Sequence, residues 1–241
     1  MLFVKKSTLD DEKNIHYEAI KEFFRRDNPK RAGLYDKDAK ELKKELQKRK
    51  MWRAYISSLN EILDDIPEIK SVIDVGCGMG NFTFELVNCG RFDRIVGLDF
   101  LKETFSIACK NPEIFRNVDF IQGNLLDIPF KNRCFDAAFC LNTLHHIHPE
   151  DLKKAIKELT RITDKYLVIE IRNKKNVFDF YHSRIVLPTL YKDLPVYSNV
   201  VSEINSLAKK YNFQLETIAG KSTLNWMNGR LVIVYKRIDG I

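Results

Sequence analysis

Val72-Ile73-Asp74-Val75-Gly76-Cys77-Gly78-Met79-Gly80-Asn81-Phe82 is the stretch from which the rest of the chain can be read. Val72 to Val75 predict a short buried strand. The glycines at 76, 78 and 80 predict a turn with no β-carbons in the way, so that another molecule can approach the backbone. The pattern from Met79 to Val87 suits a helix, which places the turn at a helix N-terminus, where free N–H groups favour an anionic ligand group. Asp74 at the strand end argues against a phosphate, because it repels a pyrophosphate and attracts an ammonium. A ligand carrying both a carboxylate and an amine satisfies both features. The spacing also departs from a dinucleotide fingerprint, which wants its third glycine three residues after the second; position 81 is Asn.

The chain has 241 residues, 44% hydrophobic and 30% charged, an ordinary composition for one α/β domain with additions. No run of about 18 apolar residues occurs, so no transmembrane helix is expected. The N-terminal apolar stretch is too short for a signal peptide. Cys77, Cys89, Cys109, Cys134 and Cys140 are odd in number and form no C-x-x-C pair; they read as reduced thiols of a cytoplasmic protein. Lys and Arg number 17 against 14 Asp and Glu in residues 1–70, 12 against 14 in 71–170, and 11 against 5 in 171–241. The central segment is thus slightly acidic, and the +7 excess lies in the flanks. Such flanks suit an anionic substrate, a membrane surface or RNA, or equally a solvated surface with no partner.

Helical spacing of Ile15, Ala19, Ile20 and Phe23 predicts a helix over 10–28, and a second is expected over roughly 37–66, stopped by Pro67. From residue 70 strands and helices alternate. Strands are expected at 71–75, 94–99, 118–122, 135–141 and 166–171, and helices at 79–89, 101–110 and 149–163. That order implies a parallel sheet with crossover helices. A helix at about 199–211 then precedes strands at 213–219 and 231–237, with Asn228-Gly229 as a hairpin turn signal ahead of the last strand.

The Asp-Val-Gly-Cys-Gly-Met-Gly segment resembles the cofactor loop of the class I S-adenosylmethionine-dependent methyltransferases. The resemblance covers roughly residues 70–171. It implies a Rossmann-like, doubly wound α/β sheet of seven strands ending in an antiparallel hairpin strand, with the N-terminal helices added. It implies S-adenosylmethionine (SAM) as cofactor and S-adenosylhomocysteine (SAH) as product. The implied cofactor residues are Asp74 and the loop Gly76, Cys77, Gly78 and Gly80. Asp99, at the end of the second strand, takes the ribose hydroxyls, although a helix cap is also a reasonable role for it. Asn124 stands where the family often has Asp beside the adenine amino group; Leu125 adds an apolar face, and Asp127 is the alternative partner. Phe100 lies against the adenine or packs in the core. Asn142 and Thr143 follow the fourth strand beside the methionine portion, and Tyr35, in a Tyr-Asp pair, reaches over the cofactor or packs in its loop. Asp136 reads as structural.

Methyl transfer from a sulfonium is an in-line displacement, so the protein has to align the reactants and exclude water. A base matters only when the nucleophile must lose a proton early. Asn142-Thr143-Leu144-His145-His146-Ile147-His148 should face the methyl, and small-molecule members of the family carry Leu-His-His here. His146 is the first candidate base and His145 the second; buried backbone-bonded histidines are the alternative. Adjacent histidines with no clustered acidic or Cys ligand do not make a metal site. Residues 172–198 are long for a connection and rich in aromatics, and Tyr181, His182 and Arg184 are candidate substrate contacts. The expected organisation is an N-terminal helical lid or extension at 1–69 and a SAM-binding domain at 70–241 with that insertion. The expected activity is methylation of a small-molecule O or N nucleophile, anionic or lipid-like, with RNA or protein methylation as alternatives and a non-catalytic binding protein behind them. No Asn/Asp-Pro-Pro-aromatic motif follows the fourth strand, and Cys140 lacks a preceding Pro, which disfavours the corresponding nucleic-acid chemistries.

Overall fold

The computed structural model of the chain describes residues 6–31, 41, 44, 61–64, 66, 69–106, 108–110, 112–173, 196–219 and 230–238. Seven strands form one sheet: β1 (Ser71–Val75), β2 (Arg94–Asp99), β3 (Val118–Gln122), β4 (Phe135–Cys140), β5 (Thr163–Arg172), β6 (Phe213–Ala219) and β7 (Arg230–Arg237). Their spatial order is β3-β2-β1-β4-β5-β7-β6. The first five pair in parallel, and β7 inserts antiparallel between β5 and β6. The order reverses between β1 and β4, so the crevice beyond their carboxyl ends is the topological switch point where such sheets bind ligands.

Burial on both faces explains the near-continuous apolar strands. Neighbouring residues point to opposite sides. Ile73, Val75, Val96 and Leu98 pack with Leu152, Ile156 and Leu159 of helix α4 (Leu152–Ile162) and with Ile204 and Ala208 of α5 (Val201–Lys210). Val72, Ile95, Phe139 and Val168 pack on the other face with Phe82 and Leu86 of α2 (Asn81–Asn88) and with Ile62, Leu63 and Ile66.

Several elements differ in detail from the expectation. Helix α2 starts at Asn81 because Gly80 is left-handed, with φ 82°. The helix expected over 101–110 is a single turn, α3 (Lys102–Phe105), followed by a 3-10 turn at Ala108–Lys110. Pro149–Asp151 form a 3-10 turn ahead of α4, which suits a proline that fixes φ and lacks an N–H. Strand β5 is longer than expected at both ends: Thr163 at its start pairs with Phe135 of β4, and Arg172 at its end with Arg230 of β7. Most of the helix expected at 37–66, Tyr35, the Asn228-Gly229 turn and nearly all of 172–198 lie outside the described residues.

Asp136 is structural, as expected. Its Oδ2 accepts from the backbone N–H of Lys70 and Ser71, both at 2.9 Å, and Lys165 pairs with Oδ1 at 3.2 Å. These bonds tie the entries of β1, β4 and β5 together at the sheet end opposite the crevice.

Helix α1 (Lys6–Arg31) spans that crevice. Toward its start, Tyr17 donates to Asp151 at 2.7 Å, Lys13 to Asp151 at 3.0 Å, and the His16 Nε2 lies 2.8 Å from the His146 carbonyl. Further along, Arg25 meets Glu103 of α3 at 3.4 Å. The first set of partners follows β4 and the last follows β2. At about 1.5 Å per residue the helix covers the two strand spacings between them, so it crosses above the end of β1.

Candidate active site

The three glycines of the first loop do different work. Gly76, Gly78 and Gly80 all have positive φ, at 81°, 54° and 82°. A β-carbon on Gly76 would collide with Thr143, and one on Gly80 would come within 3.1 Å of Ala108 and 3.4 Å of Phe115. Among the described residues, at Gly78 it would meet only Thr104, at an ordinary 3.8 Å. Gly76 and Gly80 are therefore required by the protein's own packing, and of the three, Gly78 leaves its outer side open to a ligand among the described residues.

Asp99 supports that open residue. Its Oδ2 accepts from the Gly78 N–H at 2.9 Å and its Oδ1 from the Leu101 N–H at 3.0 Å. Both readings of Asp99 thus meet in one group: it fixes the start of the α3 segment, and each oxygen keeps a second acceptor position for a hydroxyl. Burial pushes its carboxyl above the ordinary range, against the pull of those N–H groups.

Asp74 is sealed in, 1% exposed, with Thr83 donating to it at 2.6 Å. Burial pushes its carboxyl up to about 7. Its place beneath the loop suits support of the turn more directly than a grip on a ligand. Cys77 is also buried, and its sulfur sits 3.2 Å from where a β-carbon on Gly97 would stand. It offers the site its backbone only. Cys140 is fully buried with its thiol pushed up by desolvation, which makes it a poor nucleophile.

On the adenine side, the exposed Asn124 uses its Oδ1 to accept from the Leu126 N–H at 2.9 Å, closing a turn with Asp127. Leu125 is buried and Phe100 half-buried, its carbonyl accepting from Gln122 at 3.1 Å. Asp99 ends β2, and Phe100, Asn124 and Leu125 follow β2 or β3, on one side of the loop.

On the other side lies the segment after β4. Asn142 is left-handed at φ 54°. His145 is 4% exposed, and burial drives its imidazole well below its ordinary pKa, so it is neutral. His146 is half-buried with Phe24 of α1 edge-on at 5.4 Å. Of these two, His146 is the one placed under the bridging helix. Tyr181, His182 and Arg184 lie outside the described residues. Among the described residues no group of three or more His, Cys, Asp or Glu side chains is arranged to hold a metal ion.

The sequence reading missed Thr83, Glu170 and Arg230. Glu170 had a signal: an acid inside Leu167-Val168-Ile169-Glu170-Ile171 must find a partner when buried. Arg230 Nη1 supplies it at 2.9 Å and also donates to Asn142 Oδ1.

A glycine loop at the switch point, an acid after β2 and an antiparallel seventh strand define a Rossmann-like methyltransferase fold. Residues 72–165 match the family described as a methyltransferase domain, in keeping with the resemblance to the class I SAM-dependent methyltransferases. A demethylmenaquinone methyltransferase of Bacillus licheniformis is 30% identical over 117 residues, 48% of each chain. A 2-phytyl-1,4-naphtoquinone methyltransferase of Thermosynechococcus vestitus is 28% identical over 99 residues, 41% of this chain and 43% of its own. The matches span about half the length of these curated relatives. The magnesium protoporphyrin IX methyltransferase of Synechocystis PCC 6803, solved with bound SAH, superposes with a TM-score of 0.61 at 17% identity. That alignment covers 78% of this chain and 85% of the other; it shows a shared fold.

Proposed function

We propose that this chain transfers a methyl group from SAM to a small-molecule acceptor. The observation that carries the reading is the pairing of Gly78 with Asp99: an open glycine held by a carboxylate at the switch point. This combination suits an adenosyl ribose, with the amino-acid portion along the loop. Matches to quinone methyltransferases and the fold shared with a porphyrin methyltransferase favour a small, largely apolar acceptor over RNA or protein.

SAM, when bound, supplies the electrophilic methyl and a neutral thioether leaving group. The chain's own residues do the rest. Asp99 orients the ribose; Leu125, Phe100 and the Asn124 turn border the adenine. The Asn142–His148 segment faces the sulfonium end, and His146 takes a proton from the acceptor where one must leave. Helix α1 closes the crevice and keeps water out. Residues 1–69 act as its lid, Tyr35 and the 172–198 insertion complete the cover, and Tyr181, His182 and Arg184 contact the acceptor. Among the described residues no helix is long and apolar enough to cross a membrane, which fits an acceptor delivered to the crevice of a cytoplasmic protein.

Calorimetry with SAM and SAH, followed by incubation with methyl-labelled SAM and fractionated extract, tests the reading. Micromolar binding of both ligands and a labelled small molecule are expected. Binding of neither refutes it in favour of a scaffold, and label in RNA or protein refutes the acceptor class.

A further inference from the structure

Helix α1 buries a polar side chain among its apolar ones. His16 is 6% exposed, and it shares a face with Ile20 and Phe23, at 2% and 7%. The spacing puts all three on one stripe, where an apolar side chain is the ordinary occupant. A buried imidazole is kept where its polar atoms are matched. Here the match is the His146 carbonyl, 2.8 Å from the His16 Nε2. A carbonyl only accepts, so Nε2 carries the hydrogen and donates it. Tyr17, His148 and Tyr197 surround the ring, with centroids 4.9, 5.7 and 5.3 Å away. Burial pushes the imidazole's pKa down, against the pull of the bond to His146, and the fields of His148 and Asp151 act on it in opposite senses. His16 is therefore neutral.

The bond falls on a turn with little of its own to hold it. Leu144–His146 form one 3-10 turn, closed by the His146 N–H to the Thr143 carbonyl at 2.9 Å and the Ile147 N–H to the Leu144 carbonyl at 3.1 Å. The last carbonyls of such a turn have no partner inside it. Two elements distant in sequence supply them. The Tyr197 N–H, ahead of α5, donates to the His145 carbonyl at 2.8 Å, and His16 donates to the next carbonyl. About two turns further along α1, Phe24 meets the His146 ring edge-on at 5.4 Å. Helix α1 thus holds His146 by its backbone through His16 and by its ring through Phe24. Both contacts go when the helix leaves.

We propose that His16 is a positioning residue for His146: its bond to the His146 carbonyl forms only with α1 across the crevice, so that closing the cover and placing the base are one event. This rests on the methyltransferase reading above and adds the residue through which cover and base act together. With α1 open, an acceptor enters a site whose base is out of place. With α1 closed, the base is set and water is already excluded.

The wild-type protein gives the first test. In protein labelled with 15N in its histidine rings, the His16 resonances should show the hydrogen on Nε2; a hydrogen on Nδ1 excludes the bond and overturns the proposal. Two variants then separate the bond from the packing. His16→Gln keeps an N–H donor without a ring, and His16→Phe keeps a ring without a donor. The ring signals of His146 should stay near their wild-type positions in His16→Gln and move in His16→Phe. Transfer of labelled methyl to the extract fraction that accepts it from the wild-type protein should fall at least about tenfold in His16→Phe and stay within about threefold of wild type in His16→Gln. The reverse order, or equal behaviour of the two variants, would show that His16 only fills space. Should either variant fail to fold, the position of the hydrogen in the wild-type protein decides alone. Wild-type protein that neither binds SAH nor transfers label refutes the methyltransferase reading instead, and the ring signals of His16 and His146 still decide whether the one holds the other.

Discussion

The side chain of Thr143 occupies the volume that a β-carbon on Gly76 would need: its Cγ2 lies 2.6 Å from that point. The Thr143 hydroxyl donates to the Leu141 carbonyl at 3.0 Å, with the Gly76 carbonyl at 3.4 Å. The loop after β1 and the loop after β4 are thereby keyed together, and their spacing sets the width of the crevice. Gly76→Ala should destabilise the fold by about 2–4 kcal/mol, from left-handed strain and the collision together. Thr143→Ala in the same chain should recover part of that loss. Urea unfolding of the four proteins in the cycle measures the coupling; strictly additive losses would show that the two side chains do not compete.

Gly78 should behave in the opposite way. Its outer side is open, so Gly78→Ala adds only the cost of a left-handed alanine, about 1–2 kcal/mol. The new methyl group projects into the space assigned to the ligand. The expected outcome is a modest shift in the urea midpoint with at least about a tenfold loss of SAH affinity. Unchanged affinity would move the ligand away from this residue.

Much of this was legible in the sequence, and the reason is local. The strands β1, β2 and β4 are short, buried on both faces and bounded by turn residues, so their positions follow from composition alone; β3 is the half-exposed edge of the sheet. The order of β7 and β6 could be read only through resemblance, because antiparallel insertion depends on pairings between residues as far apart as Tyr166 and Lys236. The division of labour among Gly76, Gly78 and Gly80 was not legible at all. All three need positive φ, but what fills the space beside them comes from Thr143, Ala108 and Phe115, which are distant in sequence from the loop. Arg230 stayed hidden for the same reason: nothing near it in sequence announces Asn142 or Glu170.

Asp74 should make stability depend on pH. Its carboxyl titrates near 7 in the folded protein, against about 3.9 in an unfolded chain. Between those values the folded state holds the proton more often than the unfolded state, so stability falls as pH rises. The contribution is full below about pH 4 and lost through about pH 7. Asp74→Asn carries no such proton and should flatten this part of the profile. Urea unfolding of both proteins across the window checks it; parallel profiles would place the titration elsewhere. Thr83→Val should steepen the loss, because it removes the hydroxyl that stabilises the ionised form at 2.6 Å.

His146→Ala separates chemistry from binding. His146 stands on the segment after β4, beneath Phe24 and away from the residues around Asp99. Turnover should fall by about a hundredfold if it takes a proton from the acceptor, while SAH affinity stays near wild type. His145→Ala should instead lower stability, because it empties a buried site. Unchanged turnover in His146→Ala would remove it from the chemistry.

The bridging helix gives the last prediction. Tyr17 and Lys13 both end on Asp151, whose carboxyl is held below its ordinary range by the Tyr17 hydroxyl and Lys13, against the opposing effect of burial. Its folded pKa is depressed, so the attachment is present above the unfolded value of about 3.9 and is lost as pH falls through the folded one. Asp151→Asn weakens both bonds at neutral pH, and Tyr17→Phe removes one, at a cost of about 1–2 kcal/mol each. Arg25 and Glu103 at the far end are exposed and hold weakly, so that pair does not compensate for a weakened Asp151 attachment. Hydrogen exchange in residues 11–26 should speed up in both variants while β1, β2 and β4 keep their protection. SAH should dissociate faster from both, since the cover over the end of β1 is open more often. A helix that exchanges faster with no change in the dissociation rate would show that α1 lies beside the crevice and not across it.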